Sequence, residues 1–148
     1  MHLLDTITIT LAGLMVGNEL AVSAFINPAL WQLEDGPQAR ALALLARSLG
    51  RAMPVWYVLC FALLALESFL HRAQTGFALL LTATLIWAVV IVFTISTLVP
   101  INNRIASGIN SAPAPAWKQD HHRWDALHRV RILLLVIAFF VLTYALAG

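Results

Sequence analysis

Charged residues and cysteine are both scarce in this sequence. Only 11% of the 148 residues are Asp, Glu, Lys or Arg, whereas 61% are hydrophobic and the mean hydropathy is +0.84. So little charge cannot keep a soluble domain in solution, which excludes the soluble globular classes and indicates an integral membrane protein. The single cysteine, Cys60, excludes an internal disulfide, so cysteine usage says nothing about the redox compartment.

A cleavable secretion signal and a nucleic-acid-binding surface are missing as well. The first residues, MHLLDTITIT, contain no Lys or Arg, and no small-residue cleavage site follows a short apolar stretch. The chain start is therefore predicted to be the first membrane span. The net charge of +2 comes from basic residues between the apolar runs, where they are expected to face lipid head groups rather than nucleic acid.

Four apolar runs are long enough to cross a bilayer, which takes about 20 residues of helix. They cover roughly residues 3–30, 53–71, 76–99 and 130–147. Because a spanning segment must satisfy its own backbone hydrogen bonds, helices are predicted. The expected fold class is all-α, with one domain, residues 1–148, that forms a bundle of four transmembrane helices.

A short amphipathic helix is predicted between the first two spans. Three leucines share one face of this segment and three arginines share another: Leu42, Leu45 and Leu49; Arg40, Arg47 and Arg51. This pattern is typical of a helix that lies flat at the membrane surface, with its apolar face in the lipid.

Lysine and arginine are concentrated on one side of the predicted bundle. All of the nine except Arg72 lie in the two longer connecting segments or at the helix ends beside them. Because Lys and Arg are retained on the cytoplasmic side, both termini are expected to lie outside. The chain is therefore expected to be a multi-pass protein of a bacterial-type inner membrane, with the lipid bilayer as a partner.

Polar side chains on one helix face interrupt the first apolar run. Glu19, Ser23 and Asn27 follow one another at intervals of four residues, and Trp31 continues the stripe one turn later. An ionisable residue inside a membrane is costly and usually functional. The alternative is a protonated carboxyl that donates one hydrogen bond to a neighbouring helix and contributes about 1 kcal/mol or less.

A second membrane glutamate, Glu67, is expected to lie at the same depth as Glu19. At 1.5 Å per residue, Glu67 lies about 20 Å from Pro54 and Glu19 about 16 Å from Leu30, the assumed inner ends of their spans. Matching depth favours a functional role for the pair.

No metal or haem is predicted, but if a metal is bound, Glu19, Glu67 and His71 are its candidate ligands, because Glu67 and His71 share a helix face.

Two further groups of polar residues flank the last connecting segment. A stripe that leads into the fourth span consists of Trp117, His121, Trp124, His128 and Arg131. The motif VPINNRI, which follows the third span, places Asn102 and Asn103 behind a proline. Asn102 and Asn103 act either as helix caps or as donors that hold an oxyanion. The stripe faces either the bundle interior or the lipid surface.

Three motifs carry a family resemblance. They are GNELAVSAFINPALW in the first span, VPINNRI after the third, and W-x6-W-x3-H-x2-R before the fourth. Together they resemble the anthrone-oxygenase-like family of small four-span membrane proteins, and the resemblance covers nearly the whole chain. It implies oxidation of an anthrone to an anthraquinone by molecular oxygen without an organic cofactor.

The resemblance also implies a chemical role for the polar residues. A base removes an acidic methylene proton, and the resulting anion passes an electron to oxygen in a dry aromatic cavity. Glu19 or His128 is then the base. The implied partners of the enolate oxygen are Asn27, Asn102, Asn103 or Arg131, and the implied pocket residues are Phe25, Trp31 and Trp124. The cavity is expected to open toward the cytoplasmic side.

Three hypotheses about function follow from these observations. The first is a membrane oxygenase that acts on a hydrophobic small molecule, aromatic or quinone-like. The second is a non-catalytic module that binds or transports a lipid, quinone or proton along a water path that reaches Glu67. The third is a metal- or haem-dependent membrane enzyme.

Gly13 and Gly17 allow close helix packing inside the bundle or between copies of the chain, so the sequence is compatible with a homo-oligomer.

Overall fold

The computed structural model describes residues 2–108 and 116–147. It contains four long helices, α1 (His2–Leu30), α2 (Asp35–Leu70), α3 (Phe77–Ser107) and α4 (Trp117–Ala147). Each is long and apolar enough to cross a membrane, and no strand occurs within the described ranges. The predicted all-α class with four transmembrane helices is confirmed.

The amphipathic segment before the second span is helical, but it is not a separate helix. It forms the first half of α2, which continues through Pro54 for 36 residues in total. Its apolar side chains Leu42 and Ala46 are buried in a cluster with Ile101 and Ile105 of α3. The prediction that this face lies in lipid is therefore wrong, because the end of α3 covers it.

Two clusters of buried side chains are stacked along the bundle axis. One cluster includes Met15, Leu64, Trp87 and Leu135. It lies in the part of the bundle that carries both chain ends, residues 2–21, 52–97 and 132–147, which we call the terminal half. The other cluster includes Leu30, Leu42, Leu98, Ile101 and Trp124. It lies in residues 22–51, 98–108 and 116–131, which we call the basic half.

The two halves differ in the side chains on their surfaces. Most of the exposed large apolar side chains belong to the terminal half, for example Val58, Val92 and Phe140. The exposed arginines of the basic half are Arg40, Arg47, Arg51, Arg104, Arg123 and Arg129. An apolar surface is stable in contact with lipid, whereas arginines favour the head-group region and water. We therefore expect the terminal half to lie in the bilayer and the basic half to extend beyond it.

Both α1 and α3 contain a π-helical segment at the junction of the two halves. The segments are Val22–Ile26 and Thr94–Leu98, and a proline follows two residues after each, Pro28 and Pro100. A proline inside a helix lacks an N–H donor, and its ring collides with the carbonyl four residues earlier. A wider π turn relieves that conflict, and such turns frequently occur at functional sites.

The prediction that Glu19 and Glu67 lie at the same depth is wrong. Glu67 accepts a hydrogen bond from Thr8 at 3.0 Å, whereas Glu19 accepts one from Tyr57 at 2.9 Å. Thr8 and Glu19 are separated by eleven residues of α1, about 16 Å along the axis. The prediction took Pro54 as the inner end of the second span, but α2 begins at Asp35. The two glutamates therefore lie at opposite ends of the terminal half.

Of the two glycines spaced four residues apart in the first span, Gly13 and Gly17, only Gly13 lies close to another helix. A Cβ at Gly13 would lie 3.1 Å from the ring of Phe139 in α4, whereas a Cβ at Gly17 would meet nothing within 4 Å. Gly13 therefore allows α1 to approach α4 closely, which is the packing role that small residues have in membrane bundles.

Candidate functional site

A buried cluster of ionisable side chains joins α1, α2 and α4 at the junction of the two halves. Glu19 is 2% exposed. One of its carboxylate oxygens, Oε1, accepts a hydrogen bond from the Tyr57 hydroxyl at 2.9 Å, and the other, Oε2, accepts one from Arg131 at 2.7 Å. Nδ1 of His128 lies 3.3 Å from the same Oε2. The charge of Glu19 is thus balanced by a cation from another helix, as a buried carboxylate requires.

The contacts of His128 show that both of its ring nitrogens are occupied. Nε2 lies 3.3 Å from the backbone carbonyl of Glu19, which can only accept a hydrogen bond. The proton is therefore assigned to Nε2, and Nδ1 accepts a hydrogen bond from Nη2 of Arg131 at 2.8 Å. The ring also stacks on Trp124 at 4.5 Å and is fully buried. His128 holds Arg131 and the Glu19 backbone in place.

Arg131 keeps an unused donor in this cluster. Its Nη2 donates to both Glu19 and His128, and its guanidinium carbon lies 5.6 Å from the ring centre of Tyr57. Its Nε–H is buried and has no hydrogen-bond partner. A buried donor without a partner is costly, so this N–H favours the approach of an oxygen acceptor.

A cavity of about 200 Å³ lies beside the cluster, between the two buried clusters of the core. Its apolar lining includes Leu49, Met53, Ile91, Leu98 and Trp124, and its polar lining includes Asn18, Glu19, Tyr57, Thr94, Asn102, Asn103 and Arg131. A dry apolar cavity of about 150 Å³ in another protein holds one benzene molecule. A ligand larger than a single aromatic ring therefore matches this volume, with its polar atoms toward Glu19 and Arg131.

The mouth of the cavity is a lateral slot between α2 and α3. Exposed lining residues follow at four-residue intervals on each helix: Gly50, Pro54 and Val58 on α2, and Ile95, Val99 and Asn103 on α3. Val58 and Ile95, which are 61% and 62% exposed, belong to the apolar surface of the terminal half. The mouth faces sideways at the level where the two halves meet, and the expectation that the cavity opens toward the cytoplasmic side stays a prediction.

Five of the other predicted residues lie in or near the cavity or deeper in the basic half. Asn102, Asn103 and Trp124 line the cavity. Asn27 and Trp31 lie deeper in the basic half, where Asn27 donates a hydrogen bond of 2.9 Å to Asp125 and Trp31 stacks on the rings of His121 and His122, both at 4.2 Å. The stripe before the fourth span therefore faces the bundle interior at His121, Trp124, His128 and Arg131, all of which are buried.

Phe25 lies outside the site. It is 74% exposed and does not line the cavity. Glu19 is buried whereas Phe25 is exposed, so the two side chains leave α1 on different sides. The pair Glu67 and His71 is also remote from the cavity, so the structure does not unite Glu19 with them as metal ligands.

The sequence reasoning missed Tyr57, which donates to Glu19, and Asp125, which accepts a hydrogen bond from Asn27. Tyr57 lies within the apolar run of the second span, and a tyrosine in such a run is ordinarily read as an interface residue. Asp125 lies next to the aromatic stripe and binds both Asn27 and Arg129. Their partners on other helices could not be known before the helices were placed against one another.

The close contact at Gly50 leads to a prediction about stability. Asn102 donates a hydrogen bond of 3.0 Å to the Ala46 carbonyl, and a Cβ at Gly50 would lie 2.8 Å from the same Asn102 nitrogen. Gly→Ala in a helix normally stabilises by about 1 kcal/mol. At Gly50 the loss of the Asn102 hydrogen bond, about 0.5–1.5 kcal/mol, is expected to cancel that gain.

Gly17 provides the matched control, because its added Cβ meets nothing within 4 Å. Thermal unfolding in one detergent is expected to place Gly17→Ala above the wild type and Gly50→Ala at or below it. Equal stabilisation by the two substitutions would show that Asn102 is not held against α2.

Comparison with known proteins identifies the family. A family model described as anthrone oxygenase matches residues 41–141, which is more than half of the chain. The match includes Tyr57, Asn102, Trp124, His128 and Arg131 and begins after Glu19. No curated protein and no solved structure matches the chain. The chain belongs to the anthrone oxygenase family.

Proposed function

We propose that this protein is a small membrane oxygenase that oxidises a hydrophobic aromatic or quinone-like substrate in the lateral cavity. One observation carries the proposal: a buried carboxylate–guanidinium pair, Glu19 and Arg131, lines an otherwise mostly apolar cavity whose mouth borders the exposed apolar surface of the terminal half at Val58 and Ile95. An apolar substrate dissolved in the bilayer can reach this cavity through the slot without crossing water.

The chemistry follows from the charges of the pair. In an anthrone the methylene lies between two aromatic rings and is conjugated to a carbonyl, so it is acidic. Glu19 takes one methylene proton, and the electron pair of the C–H bond remains on the substrate as an enolate. Glu19 becomes neutral at that moment, and the Arg131 cation is left to hold the enolate oxygen. The site therefore keeps the same net charge before and after proton transfer.

Molecular oxygen is the oxidant in this proposal. The enolate transfers electrons to O2, and a C–O bond forms at the former methylene carbon. One oxygen atom ends in the new carbonyl, and the other leaves as water with both methylene hydrogens. The balance is CH2 + O2 → C=O + H2O. The protein supplies the base, a partner for the anion and a cavity from which bulk water is excluded.

Glu19 is the proposed base because His128 has no free nitrogen. His128 is a positioning residue that orients Arg131 through Nδ1 and the Glu19 backbone through Nε2. Tyr57 orients the Glu19 carboxylate from the opposite side. The ring of Trp124 lines the cavity, and the Asn102 amide lines the end of the cavity that lies in the basic half.

The alternative of a transport module finds less support. It requires a water path that reaches Glu67, but Glu67 is fully buried and does not line the cavity.

We also propose that the protein lies in a bacterial-type inner membrane with both termini outside. The exposed arginines of the basic half support this orientation, because such residues are retained on the cytoplasmic side.

The direct test is oxygen uptake by the purified full-length protein in detergent with anthrone as substrate. We expect one O2 consumed for each anthraquinone formed, at a rate well above that of protein-free detergent micelles. An uptake rate equal to the protein-free rate would contradict the proposal. A haem band in the visible absorption spectrum of the purified protein would favour the cofactor-dependent alternative.

The lateral mouth gives a prediction about substrate entry. Ile95→Trp places a large ring at the slot, so the KM for anthrone is expected to rise about tenfold or more with little change in kcat, because only entry and binding are affected. The matched control is Val92→Trp, since Val92 is exposed on the same helix but does not line the cavity. If both variants keep the wild-type KM, the substrate does not enter between α2 and α3.

A further inference from the structure

A second group of ligand-type side chains lies at the end of the terminal half, remote from the cavity. Asp5 comes from the first turns of α1, Glu67 from the last turns of α2, and His71 directly follows α2. One ligand atom of each residue lies within 4.8 Å of the other two. Glu67 is fully buried and His71 is 7% exposed. Glu67 and His71 are therefore enclosed by protein, and Asp5 is half-buried beside them.

Each of the two carboxylates of this group has one buried oxygen that accepts no hydrogen bond. Oε2 of Glu67 and Oδ1 of Asp5 are buried and accept no hydrogen bond. Within residues 2–108 and 116–147, no lysine or arginine forms an ion pair with either of them. The neighbouring Arg72 donates instead to the backbone carbonyl of Phe69 at 2.9 Å. The basic side chain beside them is His71, whose Nδ1 lies 3.4 Å from Oε2 of Glu67. A buried carboxylate is unfavourable without a positive charge next to it, so two carboxylates beside one imidazole favour a positive ion.

The hydrogen bonds around the group show which of its atoms remain available to a metal ion. Nδ1 of His71 lies 3.0 Å from the backbone carbonyl of Glu67, which can only accept, so Nδ1 carries the proton. The other ring nitrogen, Nε2, then keeps the lone pair that a metal ion needs. Thr8 donates to Oε1 of Glu67 at 3.0 Å and leaves Oε2 free. Outer hydrogen bonds of these two kinds typically orient the ligands of protein metal sites.

We propose that Asp5, Glu67 and His71 bind one divalent transition-metal ion of the zinc type. Two carboxylates and one imidazole match the ligand preferences of such ions, and three protein ligands leave a position for water. The ion ties the beginning of α1 to the end of α2. Asp5 lies about 21 Å along α1 from Glu19, which is paired with Arg131. The site is therefore independent of the proposed oxygenase chemistry.

The test uses the full-length protein in detergent after treatment with a chelator. Titration with Zn2+ in a calorimeter is expected to show one ion per chain and a higher unfolding temperature. Glu67→Gln and His71→Ala are each expected to weaken binding by about a hundredfold or more, since each removes a ligand. Thr8→Ala, which removes only an orienting hydrogen bond, is expected to weaken it by about tenfold.

The matched control is His2→Ala, which removes an exposed histidine at the same end of the bundle and should leave the affinity unchanged. Asp5→Asn repeats the test with a half-buried residue if Glu67→Gln does not fold. Equal Zn2+ affinity of the wild type and Asp5→Asn would overturn the proposal. Absence of Zn2+ binding to the wild type would also overturn it, and the carboxyls would then share a proton instead.

Discussion

Glu19→Gln is expected to lower kcat for anthrone oxidation by about 10²–10⁴-fold, the usual contribution of a positioned general base. The amide keeps the size of the side chain, and its single oxygen can still accept the hydrogen bond of either Tyr57 or Arg131, but it cannot take a proton. The enolate then forms only through solvent, which the apolar cavity excludes. The measurement is the steady-state rate of oxygen uptake, with the protein concentration corrected for the folded fraction.

Two further variants separate chemistry from folding. Glu19→Asp keeps the charge that balances Arg131 but withdraws the carboxylate by one methylene. It is expected to fold normally and to lose about 10²-fold in kcat, because a displacement of about 1 Å has that effect on a positioned group. Glu34→Gln makes the same chemical change at an exposed residue and should keep the wild-type rate. A Glu19→Gln variant with wild-type kcat would exclude Glu19 as the base.

Arg131→Gln is expected to reduce the free energy of unfolding by about 3–5 kcal/mol, the usual result of removing one partner of a buried ion pair. Arg131 is 7% exposed and its partner Glu19 is 2% exposed, so water cannot replace the lost cation. Denaturant unfolding followed by helical circular dichroism provides the measurement. The variant is also expected to lose turnover, because no cation remains to hold the enolate.

The combination Glu19→Gln with Arg131→Gln identifies the cause of that instability. With both charges removed, no ion is left buried alone, and most of the lost stability should return while turnover stays absent. Arg129→Gln is the matched control on the same helix. Arg129 forms an ion pair of the same length, 2.7 Å, with Asp125, but its side chain is 66% exposed. Its loss is expected to change stability by about 1 kcal/mol or less. Additive losses in the double variant would show that Glu19 and Arg131 do not depend on each other.

The placement of these residues shows how far spacing along a helix can predict a site. Glu19, His128 and Arg131 could be chosen from the sequence, since each lies on a polar stripe in or beside an apolar run. The structure brings the three together with Tyr57, which no spacing rule identified. A stripe indicates which residues of one helix share a face, but it does not indicate which face of a neighbouring helix meets it.

The error about depth has the same physical origin. Pro54 is a reasonable start for a span because proline disrupts helix interiors. In the folded chain α2 continues across it, since the end of α3 covers the apolar face of the preceding segment. That continuation shifts the pairing of α1 with α2 and separates Glu19 from Glu67. It also leaves Glu67 beside Asp5, a residue that had no place in the sequence interpretation.

The sequence by itself determined the local properties of this protein. Its apolar runs predict four helices that satisfy their own backbone, its scarcity of charge indicates a membrane, and its motifs indicate the anthrone oxygenase family. Only the tertiary structure decided the pairing of Glu19 with Arg131, the lateral mouth between α2 and α3, and the meeting of Asp5 with Glu67. These features depend on the register and rotation of one helix against another. Register and rotation result from side-chain packing between segments far apart in the chain, which periodicity within one segment does not report.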